Sequence, residues 1–237
     1  MIADRDPHRP GVPEAARRYV EHAIAPGTPP ARSVRLRMHG EIKLRTWRTF
    51  GAEEELVWDR EMIWRARTTM NGLPISGYDR VGRGVGEQNW KILGLIPVLR
   101  TSGPDIARSG AGRMAGESIW LPSVLAEASW STPHPPSHRR ESPGDRIEAS
   151  LRVFEEKPRL TLAVAQDGRL VSVAYPRWGN PGGIFGYETF GGVAEAESTF
   201  GRFTIPSRLR LGWYFGTERF EREGEFIRIT IDEARYT

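Results

Sequence analysis

The chain has 237 residues and a mass of 26.7 kDa, enough for one large domain or two small ones. With 38% apolar and 27% charged residues it has an ordinary globular balance, which excludes wholesale disorder. The formal charge is +4, no apolar run is long enough to span a bilayer, and the lack of cysteine excludes disulfides, iron–sulfur ligation and thiol nucleophiles.

Residues 1–12 are rich in Pro, Arg and Asp and read as a flexible N-terminus. Pro13 then opens PEAARRYVEHAI, where Ala15, Tyr19, His22 and Ala23 recur at helical steps; this predicts an amphipathic helix of about three turns. Ala25-Pro26-Gly27 stops it. Next, Val34, Leu36, Met38, Ile42 and Leu44 occupy even positions, while Arg35, Arg37, His39, Glu41, Lys43 and Arg45 occupy odd ones. Such alternation predicts a long strand with one buried and one wet face, and therefore an antiparallel sheet. Leu56–Met70 continues the strand pattern, ends at the turn signal Asn71-Gly72, and leads into Leu73–Gly82 and then Gln88–Leu95.

The period changes between Pro104 and Ala126. Ile106, Met114, Ile119, Leu121, Val124 and Leu125 follow helical spacing, with Pro122 placed to split the segment in two. Residues 131–143, STPHPPSHRRESP, have the composition of a surface loop. Strand alternation returns at Ile147–Val153 and Leu160–Val164, turns at Asp167-Gly168 and resumes at Leu170–Tyr175. A Gly/Pro loop at 178–186 precedes strands near 188–197, 202–205, 209–215 and 226–232. No linker separates the halves. The expectation is an α+β, mostly β protein in which residues 13–237 form a single half-barrel-like domain. Its one large curved antiparallel sheet, an open half-barrel of about 9–11 strands, carries an N-terminal helix and a central helical insertion. A sheet of that width curls, and the helices must fill its concave face or leave a cavity there.

Several classes of function are disfavoured. Thirty-one of the 34 basic residues are Arg, but acids track them: Glu53, Glu54 and Glu55 sit among Arg48, Arg60 and Arg65. Without a basic block, no nucleic-acid partner is expected. The N-terminal MIADRDPHRP lacks an apolar leader, so a cytoplasmic location is expected. Gly82-Arg83-Gly84-Val85-Gly86 lacks the strand-then-helix setting of a dinucleotide loop and reads as a turn. Ser109–Arg113 lacks a phosphate-loop Lys-Ser/Thr, and there is no Gly-x-Ser-x-Gly elbow. His134 and His138 have the spacing of two zinc ligands on a helix, but prolines surround them and no third ligand is evident. His39 falls on a polar strand face. No catalytic set, metal site or cofactor is expected.

The motif Arg113-Met114-Ala115-Gly116-Glu117-Ser118-Ile119-Trp120-Leu121-Pro122 occurs together with Gly40, Trp64, Asp79-Arg80-Val81-Gly82-Arg83-Gly84 and Gly201-Arg202-Phe203-Thr204-Ile205-Pro206. Over roughly residues 13–237 this set resembles a bacterial domain family of unknown function, in which an Arg-x-x-x-Glu-x-x-Trp-Leu-Pro helix lies between two blocks of strands. The layout is similar to the lipoprotein-carrier half-barrels of the LolA kind. That resemblance implies an unclosed antiparallel barrel, with helices plugging its open side around an apolar cavity, and a hydrophobic ligand. Here the missing leader and missing cysteine argue against periplasmic shuttling of lipoproteins.

Arg113, Glu117 and Trp120 stand at i, i+4 and i+7, on one face of a helix. Facing a cavity, the Arg–Glu pair would grip a polar head or supply an acid–base group; facing the sheet, it is a structural salt bridge with Trp120 as core. Eight tryptophans exceed ordinary usage and are either pocket walls or core fillers. The candidate ligand-binding residues are Trp64, Arg113, Glu117 and Trp120. The expected partner is a hydrophobic or amphiphilic small molecule or lipid. Alternatives are an enzyme using Glu117 and Arg113, or an interaction domain acting through its charged outer face. Oligomeric state is not legible.

Overall fold

The computed structural model describes residues 10–133 and 144–237. The chain opens with helix α1 (Glu14–Ala23), entered through Pro13 at φ −56°, and its buried face is Ala15, Ala16, Tyr19, Val20 and Ala23. Six strands follow as a meander: β1 (Ser33–Lys43), β2 (Trp47–Val57), β3 (Glu61–Met70), β4 (Leu73–Gly82), β5 (Val85–Ile92) and β6 (Ile96–Ser102). Helix α2 (Pro104–Gly116), a 3-10 turn over Glu117–Trp120 and helix α3 (Pro122–Ala126) then lead to seven more strands. These are β7 (Ser129–Ser131), β8 (Asp145–Ser150), β9 (Arg159–Val164), β10 (Leu170–Gly179), β11 (Gly186–Phe200), β12 (Phe203–Trp213) and β13 (Glu225–Tyr236).

All thirteen strands belong to one curved, open antiparallel sheet, in the order β6-β5-β4-β3-β2-β1-β13-β12-β11-β10-β9-β8-β7. Each meander is built from local hairpins, and the two are joined where the first strand meets the last. Val34 pairs with Tyr236 and Ile42 with Ile227 along that seam, with a bulge between Arg37 and Met38. At the seam Gly40 is required. A Cβ there would lie 1.9 Å from the Arg228 carbonyl oxygen.

This order places β6 and β7 at opposite edges, so the chain between them must cross the whole sheet. It crosses on the concave side, and α2 is the element that lies there against β4, β5 and β10. The approach is close: a Cβ on Gly86 would meet the Ala107 backbone nitrogen at 2.3 Å, and one on Gly116 would meet the Tyr175 hydroxyl at 2.2 Å. The core fills the space between sheet and helices. Met62, Met114, Leu121, Leu125, Ile147, Leu160, Leu162, Ile205 and Leu209 are all fully buried in it.

The architecture is the expected half-barrel, with α1 and the split helical insertion in their expected places. The strand number is thirteen, above the expected 9–11, and each difference has a local cause. The segment read as Leu56–Met70 folds back at Asp59, whose φ is +54°, so β2 and β3 are separate strands. Strand β6 carries no strand signal in the sequence, because most of its residues are exposed on both faces and leave no alternation to read. Conversely, the segments at 202–205 and 209–215 are one strand, β12, running through Pro206. In the N-terminal stretch expected to be flexible, residues 1–9 lie outside the described residues, while Val12 is buried in the core. Gly82–Gly86 is the β4–β5 hairpin turn, with Arg83 and Gly84 at positive φ. The pair His134 and His138 lies outside the described residues.

Candidate functional site

The centre of the concave face is polar. Strand β2 alternates, and the alternation brings Glu54 inward while Glu53 points to solvent. Glu54 is only 3% exposed. Asp79 comes from β4, Trp64 from β3 and Trp90 from β5, adjacent strands that place these side chains together. Over them lies the last turn of α2, which supplies Arg113.

Arg113 is the hub. Its Nε donates to Glu117 Oε1 at 2.5 Å and its Nη1 to Asp79 Oδ2 at 3.2 Å, while Nη2 lies 3.7 Å from Glu54 Oε2. The guanidinium also sits 5.0 Å from the Trp64 ring centroid, a cation–π arrangement. Trp64 in turn packs on Trp90 and Phe50, and the Trp90 indole N–H donates to Asp79 Oδ1 at 2.9 Å. Burial disfavours the charge on Arg113, but Glu117, Glu54 and Asp79 outweigh it and hold the guanidinium more firmly protonated than usual.

Three carboxyl groups around one guanidinium leave an excess of negative charge in a dry place. Neither oxygen of Glu54 accepts a hydrogen bond, and Glu117 Oε2 also has no partner. Burial first, and then the charge of Glu117, raise the Glu54 carboxyl well above the ordinary carboxylate range, with Arg113 opposing, so the site favours the protonated form of Glu54.

A second arginine stands close by. Arg177 on β10 has no ion pair among the described residues. Its Nε and Nη2 make only long hydrogen bonds, to Ser109 O at 3.4 Å and Ser109 Oγ at 3.5 Å, and its guanidinium lies over Phe190 at 4.7 Å and Trp213 at 5.3 Å. Burial lowers its pKa from the usual arginine value.

Beside this cluster lies a cavity of about 220 Å³. Its polar lining is Asp79, Gln88, Arg113, Glu117, Tyr175 and Arg177; its apolar lining includes Trp64, Trp120, Val173, Phe190, Ile227 and Ile229. Burial pushes the Tyr175 hydroxyl up to about 12, so it stays a neutral donor. A second cavity of about 360 Å³ shares Ile42, Trp64, Asp79 and Gln88 as a common wall and is otherwise lined mainly by apolar residues, among them Phe50, Trp90, Val98 and Leu99.

All four sequence-predicted residues, Trp64, Arg113, Glu117 and Trp120, line the first cavity. The helical i, i+7 placement of Trp120 does not hold, because α2 ends at Gly116 and Glu117–Trp120 winds as a tighter 3-10 turn. Trp120 is 2% exposed, and its indole N–H donates to the Pro206 carbonyl at 3.1 Å across to β12. It is thus core and cavity wall together. Sequence reasoning missed Glu54, Asp79, Tyr175 and Arg177 as members of the site. For Glu54 the signal was present: on a strand whose neighbours Ala52 and Leu56 face inward, the residue midway between them must face inward too. His39 is exposed and hydrogen-bonded to Asp232 on the convex side.

Fold and site together define an open antiparallel half-barrel with a helix-covered internal cavity. The chain belongs to DUF6544, a family of unknown function, whose model it matches over residues 5–222. Among curated protein sequences none matches it. Three solved structures are similar at low identity. A Vibrio parahaemolyticus domain assigned to outer-membrane lipoprotein sorting is 8% identical, covering 86% of this chain and 85% of its own, with a TM-score of 0.44. A DUF1329 family protein from Desulfovibrio piger is 13% identical, covering 87% and 86%, with a TM-score of 0.45. A LolA superfamily protein from Nitrosomonas europaea is 12% identical, covering 94% and 92%, with a TM-score of 0.40.

Proposed function

We propose that the protein binds a hydrophobic or amphiphilic small molecule or lipid between the curved sheet and the helices. The observation that carries this reading is the pair of adjoining cavities, unlike in polarity. The smaller gathers Gln88, Tyr175 and Arg177 among aromatic walls; the larger, beyond the shared Asp79 and Gln88, is lined by Thr68 and apolar residues. Their volumes together fall in the range of small-molecule sites, roughly 300–1000 Å³. An oxygen-bearing head would take hydrogen bonds from Arg177, Gln88 and Tyr175, and its chain would extend past Trp64 along Trp90 and Leu99. Arg113 is not free to grip the head, because three carboxyl groups already hold it. It works as the post that keeps α2 on the sheet and the cavity open.

The reading is tested by titration with 11-(dansylamino)undecanoic acid, a fluorescent probe with a carboxylate head. Wild-type protein is expected to give saturable, blue-shifted emission. Ile227→Trp, which fills the smaller cavity, is expected to abolish that signal, and Arg177→Met to weaken it. Non-saturable emission, or an Ile227→Trp protein that binds like wild type, would overturn it.

A further inference from the structure

Among the described residues, six of the nine exposed large apolar side chains gather in one place, while Val85, Ile184 and Tyr187 lie elsewhere. Leu73 beside the β3–β4 turn, Leu93 and Leu95 in the β5–β6 turn, and Ile96, Val98 and Leu99 on β6 are all exposed, Leu95 to 80%. The two turns are tied side by side, since the Leu93 N–H donates to the Pro74 carbonyl at 2.9 Å. Strand β6 is an edge, and α2 covers the far end of β5 near Gly86 rather than this tip. Contiguous exposed apolar patches of this kind mark interaction sites.

The charge around the patch has one sign. Cut at one register, the end of the first six strands that carries these turns is made of residues 42–51, 67–76 and 91–97, which contain no Asp or Glu. They contain Lys43, Arg45, Arg48, Arg67 and Lys91, with Arg100 just behind them on β6. None of these six has an ion pair among the described residues, although elsewhere on the sheet arginine–carboxylate pairs are frequent. Glu41, at the boundary of the region, is taken up by Arg228.

We propose that this end of the sheet docks on an anionic lipid bilayer, with Leu93 and Leu95 entering the headgroup–acyl boundary and the surrounding Lys and Arg meeting lipid phosphates. Apolar tips flanked by unpaired cations match such a surface in both respects. An added protein strand fits less well. Pro97 removes a backbone donor from the edge, and a bulge between Trp90 and Lys91 twists it. Val98 and Leu99 also wall the larger cavity, so a ligand leaving that cavity would pass the docked hairpin. The docking itself does not depend on what the cavity holds.

The test is flotation of the full-length protein with vesicles of phosphatidylcholine alone and of phosphatidylcholine with about 30% phosphatidylglycerol. Wild type is expected to float with the anionic vesicles at least about tenfold more than with the neutral ones, and to be released by high salt. Leu93→Glu/Leu95→Glu and Lys91→Glu/Arg100→Glu are each expected to lose about tenfold or more, with unchanged melting temperature and unchanged dansyl-undecanoate binding. The proposal is overturned if wild type ignores both vesicles, or if the leucine variant floats like wild type. It is equally overturned if light scattering finds a dimer that the leucine variant dissociates, since the patch then belongs to a second copy. A failure here with intact probe binding leaves the ligand-binding reading standing; loss of probe binding with intact flotation does the reverse.

Discussion

Replacing Arg113 by Met keeps much of the side-chain volume and removes the cation that Glu117, Asp79 and Glu54 surround. Glu54 and Glu117 are almost inaccessible, and the substitution breaks the ion pairs with Glu117 at 2.5 Å and Asp79 at 3.2 Å and takes away the guanidinium 3.7 Å from Glu54. Breaking a buried ion pair from one side costs about 3–5 kcal/mol, because the partner is left charged and unsolvated. The cation–π contact with Trp64 is a smaller addition of about 1 kcal/mol. For a chain of this size each kcal/mol is worth about 2–4 °C, so the melting temperature should fall by roughly 6–20 °C at neutral pH. The deficit also has a pH signature. Without Arg113 the main charge opposing the burial of Glu54 is gone and only the more distant Arg177 remains, so the buried carboxyls are driven to take up protons on folding. A group whose pKa is raised on folding contributes its stability fully below the unfolded pKa and loses it as pH rises through the folded pKa. The gap between Arg113→Met and wild type should therefore be small near pH 5 and large near pH 8. Thermal and urea unfolding of both proteins at the two pH values measures it. A loss below about 1 kcal/mol, or one that does not change with pH, would show that the carboxyl cluster does not depend on Arg113.

Glu54→Gln removes the titration while keeping the neutral shape. Because the folded Glu54 pKa is raised, wild type loses stability as pH climbs through it, and the glutamine variant should gain on wild type between pH 5 and pH 9. If it is instead weakest at high pH, Glu54 is an ionised partner of Arg113. Trp120→Ala should cost about 3–5 kcal/mol by chemical denaturation, as for a buried aromatic. Trp120→Phe, which keeps the ring but strands the Pro206 carbonyl, should cost about 1–3 kcal/mol, and equal losses for the two would show that packing alone matters there.

What could be read from the sequence follows the length scale of each signal. Period-two alternation is local, so β1, β8 and β13 are visible as strands, and turn dipeptides such as Asn71-Gly72 and Asp167-Gly168 mark hairpins correctly. The Arg113–Glu117 pair is also local, because four residues on a helix bring the two groups together. The rest of the site is non-local. Asp79 and Arg177 reach the cluster only because β4 and β10 face each other across the folded sheet, which no window along the chain contains. Strand β6 shows the opposite limit. Exposed apolar residues on both faces of an edge leave no pattern to find, and only the structure shows that its side chains are uncovered.

The central claim is that the cavity between sheet and helices holds a hydrophobic or amphiphilic molecule. Native mass spectrometry of the protein as purified, followed by denaturing extraction into organic solvent, tests it most directly. A discrete added mass is expected, absent from the Ile227→Trp variant and recovered in the organic phase. An added mass that persists unchanged in the cavity-filled variant, or a wild-type protein that stays unloaded after incubation with total lipid extract, would contradict it.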